Sequence, residues 1–314
     1  MTELRDVRHG QSLCAYELRK ATESAARAAF ALLGQADKSQ GAAAALAAME
    51  TELSAQAIDA RIVAGEPGRC LGDPTRLPRW DLLMDPAEGA GFLTKGMTNA
   101  MSCLALAPAG SLFDPGPAFY MEKLVAPPQA AACIDPMAPV EDKLAALARC
   151  LGKEISDLTI YVLEKPRHRA LVERIQTQGA HVALYPAGDV AGAVLAAMPD
   201  SNIDALMGTG GCVEGLLAAC AAKVMGGTFL ARLDPQLTTE RRAVAEAGLD
   251  TESWMDLAEL VRSDCVVFCA TGITSGLLLD GVECSGKSER THSLLVGGGA
   301  GDRQMLASWH RLAA

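Results

Sequence analysis

Two carboxylates, Asp85 and Glu88, stand three residues apart in Leu82-Leu83-Met84-Asp85-Pro86-Ala87-Glu88-Gly89-Ala90, where an apolar run breaks at Asp85 and turns through Pro86 and Gly89. Oxygen donors at that spacing, on a turn closing a buried strand, suit a hard divalent cation such as Mg2+ or Mn2+. For this segment alone, an ordinary strand exit with two solvated acids is the better explanation. Glu66, after residues 60–64, and Glu214, after residues 203–207, occupy comparable positions beyond predicted strands. Ligands of open α/β sheets gather at such strand ends. Four acids converging there would suffice for one ion or two.

Groups able to meet an anion lie further along. Lys165-Pro166-Arg167-His168 follows the apolar run 158–164. A lysine point charge and an arginine fork opening a helix suit a phosphate, and a solvated helix start is the plainer alternative. Gly208-Thr209-Gly210-Gly211-Cys212-Val213-Glu214-Gly215 joins a predicted strand to a helix, so its amides could cradle an anion or form only a tight turn. It is no dinucleotide fingerprint, because Val213 stands where the last glycine belongs, and no P-loop lysine follows. Residues 297–301 form a second glycine-rich cluster, read as a turn. The chain has neither a G-x-S-x-G elbow nor H-E-x-x-H.

The elements that must carry these residues are legible from periodicity. Leu18, Ala21, Ala25, Ala28, Ala29 and Leu32 give residues 12–33 one apolar helical face, ended by Gly34. A polar turn containing Asp37 and Lys38 leads to a second helix over 42–58. Strands are predicted at 60–64, at the run ending in Asp85, at 99–107 and at 118–125. The Pro-rich stretch 126–139 is the candidate linker. Beyond it, strands at 158–164, 181–185, 203–207, 228–233 and 265–270 alternate with helices at 167–178, 189–198, 213–225 and 239–247. That alternation predicts a mostly parallel sheet with helices on its faces. The expected organisation is an N-terminal α+β domain, 1–138, and an α/β domain, 139–314.

Composition narrows the partners. Half of the 314 residues are apolar but only 4% aromatic, so the core is built from close packing of small side chains. A net charge of −10 opposes non-specific nucleic-acid or anionic-membrane binding. Ten scattered cysteines without a C-x-x-C pair read as free thiols in a reducing compartment. The charged N-terminus and the absence of a long apolar run predict a soluble, cytoplasmic protein.

Taken in order, these segments resemble the class II fructose-1,6-bisphosphatases, whose members include sedoheptulose-1,7-bisphosphatases. The resemblance runs through Thr22-Glu23-Ser24-Ala25-Ala26, Ala36-Asp37-Lys38, Ile62-Val63-Ala64-Gly65-Glu66 and Asp85-Pro86-Ala87-Glu88-Gly89. It continues through Tyr120-Met121-Glu122-Lys123-Leu124, Lys165-Pro166-Arg167-His168, Met198-Pro199-Asp200-Ser201, Gly210-Gly211-Cys212-Val213-Glu214-Gly215, Arg262-Ser263-Asp264 and Ala270-Thr271-Gly272-Ile273-Thr274. It implies a layered αβαβα sugar-phosphatase fold and hydrolysis of a sugar phosphate with Mg2+ or Mn2+. Lys38, Glu66, Asp85, Glu88 and Glu214 would be the catalytic set, with Glu66, Asp85, Glu88 and Glu214 holding metal. Gly89, Tyr120, Lys165, Arg167, Asp189, Gly210 and Gly211 would bind substrate. A homo-oligomer is expected from the resemblance and from general frequency.

Four departures from the family pattern touch the chemistry. Ala42 stands, ungapped, where the first-helix motif has an aspartate of the metal site. Gly65-Glu66-Pro67-Gly68 replaces G-E-G-E, and Pro186-Ala187-Gly188-Asp189 replaces P-D-G-D. Ala90 replaces the threonine that ends D-P-x-E-G-T and helps orient the attacking water. Two readings stay open at this point: a metal-dependent sugar-phosphate phosphatase, or a sugar-phosphate-binding homologue that does not hydrolyse its ligand.

Overall fold

The computed structural model describes residues 3–6, 11–34, 38–66, 68–93, 95–297 and 302–312. Its elements are β1 (Glu3–Asp6), β2 (Gln11–Cys14), α1 (Ala15–Phe30), α2 (Lys38–Ala55), β3 (Ala60–Ile62), β4 (Cys70–Leu71), β5 (Trp80–Glu88), α3 (Ala90–Leu93) and β6 (Met101–Pro108), then β7 (Tyr120–Ala126), α4 (Val140–Leu151), β8 (Thr159–Leu163), α5 (Arg169–Thr177), β9 (His181–Tyr185), α6 (Asp189–Ala197), β10 (Ala205–Gly211), α7 (Cys212–Met225), β11 (Thr228–Leu233), α8 (Thr238–Glu246), α9 (Leu257–Leu260), β12 (Val267–Gly272), β13 (Glu283–Ser285), β14 (Ser288–Gly297) and β15 (Arg303–Arg311). They fall into two compact units, residues 1–112 with 263–314, and residues 113–262. The Pro-rich stretch at 126–139 therefore lies inside the second unit, and the last 52 residues belong with the first.

The first unit is built on an eight-stranded sheet in the order β13-β14-β12-β6-β5-β3-β4, with β15 on β14. Among the described residues only β3 and β5 pair in parallel in it. Helix α1 lies on this sheet through a face of small residues, Ala15, Leu18, Ala21, Ala25 and Ala29, all fully buried. α2 packs beside it, burying Ala45, Met49 and Leu53 at successive helical turns. Small side chains allow both helices a close approach, which is how a core so poor in aromatics fills its volume. A buried polar network fastens α1 to the sheet: Arg19 pairs with Glu23, Thr22 Oγ1 meets Thr271 Oγ1 at 2.8 Å, and Thr291 donates to Glu23 at 3.3 Å. The resembling segments around Thr22-Glu23 and Ala270-Thr271 are thus joined by hydrogen bonds.

The second unit carries five strands in the order β11-β7-β10-β8-β9. The prediction of a mostly parallel sheet is corrected here. β8, β9 and β10 are parallel, but β7 runs antiparallel between β10 and β11. A strand placed before the alternating pattern gives no sign of its direction. The helices do cover both faces. Leu124, Ile160, Val162 and Met207 join α4 and Ile175 of α5 in one apolar cluster, while α6 and α7 pack together on the other face. Tyr161 sets the depth of α6, since a Cβ on Gly192 would come within 2.4 Å of its ring.

Local readings are also revised. β5 does not end at Asp85; it continues to Glu88 with a register shift between those residues. Proline forces the irregularity, because it brings no N–H to the ladder. Gly89, at φ 75°, makes the turn into α3. Residues 208–211 are strand rather than loop, since β10 runs directly into α7. The reading of all cysteines as free is corrected for one pair: Cys133 and Cys150 form a disulfide, 17 residues apart in sequence. A 3-10 turn at Pro128–Ala130 packs on α4, bringing the two Cα atoms to 6.7 Å, a separation that sequence spacing does not reveal. The turn predicted at 297–301 lies outside the described residues beyond Gly297.

Candidate active site

The end of β10 organises the second unit's chemistry. Antiparallel pairing places Tyr120 opposite Gly211, and Lys123 opposite Gly208. Alternation along β7 turns Met121, Lys123 and Val125 toward α6 and α7, so a lysine is buried there at 1% exposure. Its Nζ pairs with Asp189 in the first turn of α6. It also lies 3.4 Å from the Gly211 carbonyl. The pair explains the glycine at 210. A Cβ on Gly210 would fall 1.9 Å from Asp189 Oδ2 and 2.6 Å from Lys123 Nζ, whereas at Gly215 the nearest atom would be Met121 Sδ, at 2.3 Å.

Glu214 occupies the first turn of α7, with its carboxylate under Gly211, where a Cβ would lie 1.9 Å from Oε2. Burial, and then the charge of Asp189, push the Glu214 carboxyl above the usual carboxylate range. The anion-cradling position predicted at this helix start is therefore already served by the chain's own carboxylate.

Basic groups flank the same strand end. Arg167 Nε and Nη2 donate to the Thr209 carbonyl at 3.1 and 2.7 Å, and its guanidinium lies 5.1 Å from the Tyr120 ring centroid. Lys165 Nζ donates to the Pro186 carbonyl at 2.7 Å. Tyr161 Oη donates to the Ala187 and Gly188 carbonyls, which fixes the turn that delivers Asp189. Tyr120, Lys165, Arg167, Asp189, Gly210, Gly211 and Glu214 are thus all positioned by β10, its neighbouring strands, α6 and α7. An exposed, braced guanidinium beside an aromatic ring can meet a phosphate or a sugar.

Sequence reasoning missed three supporting groups here. Lys123 was legible in principle, because its alternation places a charge on the apolar face of a strand. Glu240 is 2% exposed; its Oε1 accepts from the Phe119 and Tyr120 amides at 2.7 and 2.9 Å, so α8 holds the start of β7. Nothing local signals that role. His168 is a brace: its Nδ1 lies 2.7 Å from the Leu163 carbonyl, and Nε2 accepts from the Thr209 amide at 2.9 Å. Burial holds its pKa below the usual histidine value.

In the first unit, Asp85 and Glu88 lie at the end of β5, with Asp85 Oδ1 accepting from the Ala87 amide at 3.2 Å and Glu88 3% exposed. Gly89 follows, held against Phe92 so that a Cβ would come within 2.9 Å of the ring. Glu66, in the loop after β3, is exposed and accepts from Arg69 at 2.5 Å; Arg69 also pairs with Glu50 of α2. α2 carries Ala42 and packs against α3, which begins at Ala90. The Lys38 side chain lies outside the described set. Among the described residues, no three His, Cys, Asp or Glu side chains are grouped to hold a metal. The donor chemistry nonetheless fits a hard cation: Glu66, Asp85 and Glu88 offer carboxylate oxygens only, and Glu66 already accommodates a cationic group in Arg69.

These two mixed-sheet units define an α/β fold of the sugar-phosphatase type. Residues 12–310 match the family model described as bacterial fructose-1,6-bisphosphatase, glpX-encoded, and the chain belongs to that family. It is 38% identical over 320 aligned residues to the fructose-1,6-bisphosphatase class 2 of Haemophilus influenzae, an alignment covering 95% of this chain and 96% of that one. It is 37% identical to fructose-1,6-bisphosphatase 1 class 2 of Escherichia coli K12, covering 95% of each. No described helix is long and apolar enough to cross a membrane.

Proposed function

We propose that this protein hydrolyses a sugar bisphosphate, with fructose 1,6-bisphosphate as the first substrate to test, and releases inorganic phosphate. The observation that carries this reading is the set of Tyr120, Arg167, Lys165 and Asp189 around the end of β10, in a chain that belongs to the bacterial fructose-1,6-bisphosphatase family along nearly its whole length. Arg167 and Lys165 bind the phosphate that is not cleaved, and their charge offsets locally a net charge of −10. Asp189, oriented by Lys123, accepts hydrogen bonds from sugar hydroxyls, and the Tyr120 ring packs on the sugar.

Glu66, Asp85 and Glu88 of the first unit would hold Mg2+ or Mn2+, which when bound supplies Lewis-acid stabilisation of phosphoryl oxygens and a more acidic water. Glu88, buried at the strand end, fixes the direction from which its carboxylate meets the ligand. Gly89 permits the turn into α3 and lets substrate phosphate approach backbone. Lys38 acts beside the reacting phosphate.

The test is release of inorganic phosphate from fructose 1,6-bisphosphate by the purified protein with Mg2+ or Mn2+. Release that disappears in Glu88→Ala is expected. Ligand-dependent thermal stabilisation without release above the Glu88→Ala control would overturn the reading and identify a non-hydrolysing binder.

A further inference from the structure

Thr209 is the residue on which the second unit's candidate binding groups converge. β8 pairs with β10 only through Ala205 and Leu206, so that ladder has ended before Thr209 is reached. A buried peptide group must still find partners, and Thr209 is 6% exposed. Side chains from the turn after β8 take over. His168 Nε2 accepts from the Thr209 amide at 2.9 Å, and Arg167 Nε and Nη2 both donate to its carbonyl, at 3.1 and 2.7 Å. Gly208 leaves room for the imidazole, since a Cβ there would lie 2.9 Å from His168 Nε2. The Thr209 hydroxyl donates to Asp234 Oδ2 at 2.5 Å. Asp234 follows β11, and its carboxylate reaches past β7, which lies between β11 and β10 in the sheet. Its own amide donates to the Tyr120 carbonyl at 3.0 Å. The Arg167 guanidinium, 5.1 Å from the Tyr120 ring centroid, closes the circuit. Asp234, Thr209, Arg167 and Tyr120 thus form a ring of contacts in which only Arg167 and Tyr120 carry a role assigned above.

We propose that Asp234 is a positioning residue for the phosphate that is not cleaved: through the Thr209 hydroxyl it fixes the carbonyl that sets the direction of the Arg167 guanidinium. This rests on the reading of Arg167 as a group that binds that phosphate. Arg167 is exposed at a strand end, where a long side chain would lose rotamer freedom on binding a ligand. Two of its N–H groups are engaged by Thr209, which fixes the plane of the fork beforehand and leaves Nη1 for a ligand. Such preorganisation removes part of the ordering cost of binding. The carbonyl holds that plane only while Thr209 itself is held, and a hydroxyl bonded to a carboxylate is among the stronger hydrogen bonds. The phosphate concerned does not react, so its contacts act alike on the ground state and the transition state. Their loss appears in KM rather than in kcat.

The test measures KM and kcat for phosphate release from fructose 1,6-bisphosphate with Mg2+, and the Kd of the same compound by titration calorimetry, which reads binding whether or not turnover occurs. Asp234→Ala keeps the amide that holds Tyr120 and removes only the carboxylate. It is expected to raise KM and Kd about tenfold, the size of one hydrogen bond, with a smaller change in kcat. Thr209→Val is expected to reproduce that rise, and Thr209→Ser, which keeps the hydroxyl, to stay near wild type; this separates a lost bond from a lost fold. Arg167→Ala is expected to raise KM and Kd by itself, and adding Asp234→Ala to it should cause no further rise, because nothing is left to position. Wild-type constants in Asp234→Ala, a Thr209→Ser protein as impaired as Thr209→Val, or losses that multiply in the double variant would each overturn the proposal and leave the role of Arg167 standing. Wild-type constants in Arg167→Ala would overturn the reading of Arg167 and the proposal with it.

Discussion

Lys123 and Asp189 form an ion pair inside the second unit, with Lys123 1% and Asp189 6% exposed. Breaking a buried pair from one side leaves a charge that neither water nor protein compensates, at a cost of about 3–5 kcal/mol. Lys123→Met is therefore expected to lower the unfolding free energy by about that amount in urea titrations. Lys123→Met with Asp189→Leu should recover most of the stability, because both charges are gone. It should not recover hydrolysis, if Asp189 contacts the sugar.

His168 makes stability depend on pH. Its Nε2 accepts the Thr209 amide, so only the neutral ring fits, and burial keeps its folded pKa below the unfolded value of about 6.5. The unfolded chain then binds the proton more readily. Stability from this group is complete above pH 6.5 and is lost as pH falls through that value toward the folded pKa. His310, whose pKa burial also lowers, adds to the same slope. Melting temperatures measured from pH 8 to 5 should fall below about pH 6.5, less steeply in His168→Gln; an identical slope would assign the effect to other groups.

Ala42 and Ala90 sit on α2 and α3, helices that pack together beside Glu88. Ala42→Asp with Ala90→Thr restores the two residue types of the family pattern, the aspartate expected in the metal site and the threonine expected to orient the attacking water. A general-base partner contributes roughly a hundred- to ten-thousand-fold, so phosphate release by the double variant is expected to exceed wild type by at least about tenfold. Unchanged kcat in a folded double variant would show that other groups in this chain serve that step.

The Cys133–Cys150 bond closes a loop of 17 residues around the turn between β7 and α4. Closure of such a loop restricts the unfolded chain and contributes about 3 kcal/mol. Dithiothreitol and Cys133→Ser are each expected to lower the melting temperature, and the variant should no longer respond to the reductant.

How much of this was legible in the sequence differs by residue. Helical periodicity located α1, α2, α5, α6, α7 and α8 to within a few residues, because burial of one face imposes a spacing that composition cannot hide, but it did not mark α4 or the short α9. Asp85, Glu88 and Arg167 were located by the apolar runs that end just before them, where solvated charges are equally ordinary, and only the resemblance singled out these positions and Asp189 for a site. Glu240 was not legible: an acid in a surface helix looks solvated until α8 is seen to hold the amides that open β7. The antiparallel direction of β7 was equally hidden, since pairing direction is a property of two segments and not of one.

By itself the sequence determined the family and the types of most elements, and it nominated the residues for a metal or a phosphate, because each depends on local spacing or on residue identity. Tertiary structure decided what those residues do to one another. It buried Lys123 against Asp189, made His168 a neutral brace, placed Glu214 under Gly211 and joined Cys133 to Cys150. Each of these follows from long-range contacts, in which desolvation and pairing set the energy of a charged group and neither is encoded in its immediate neighbours.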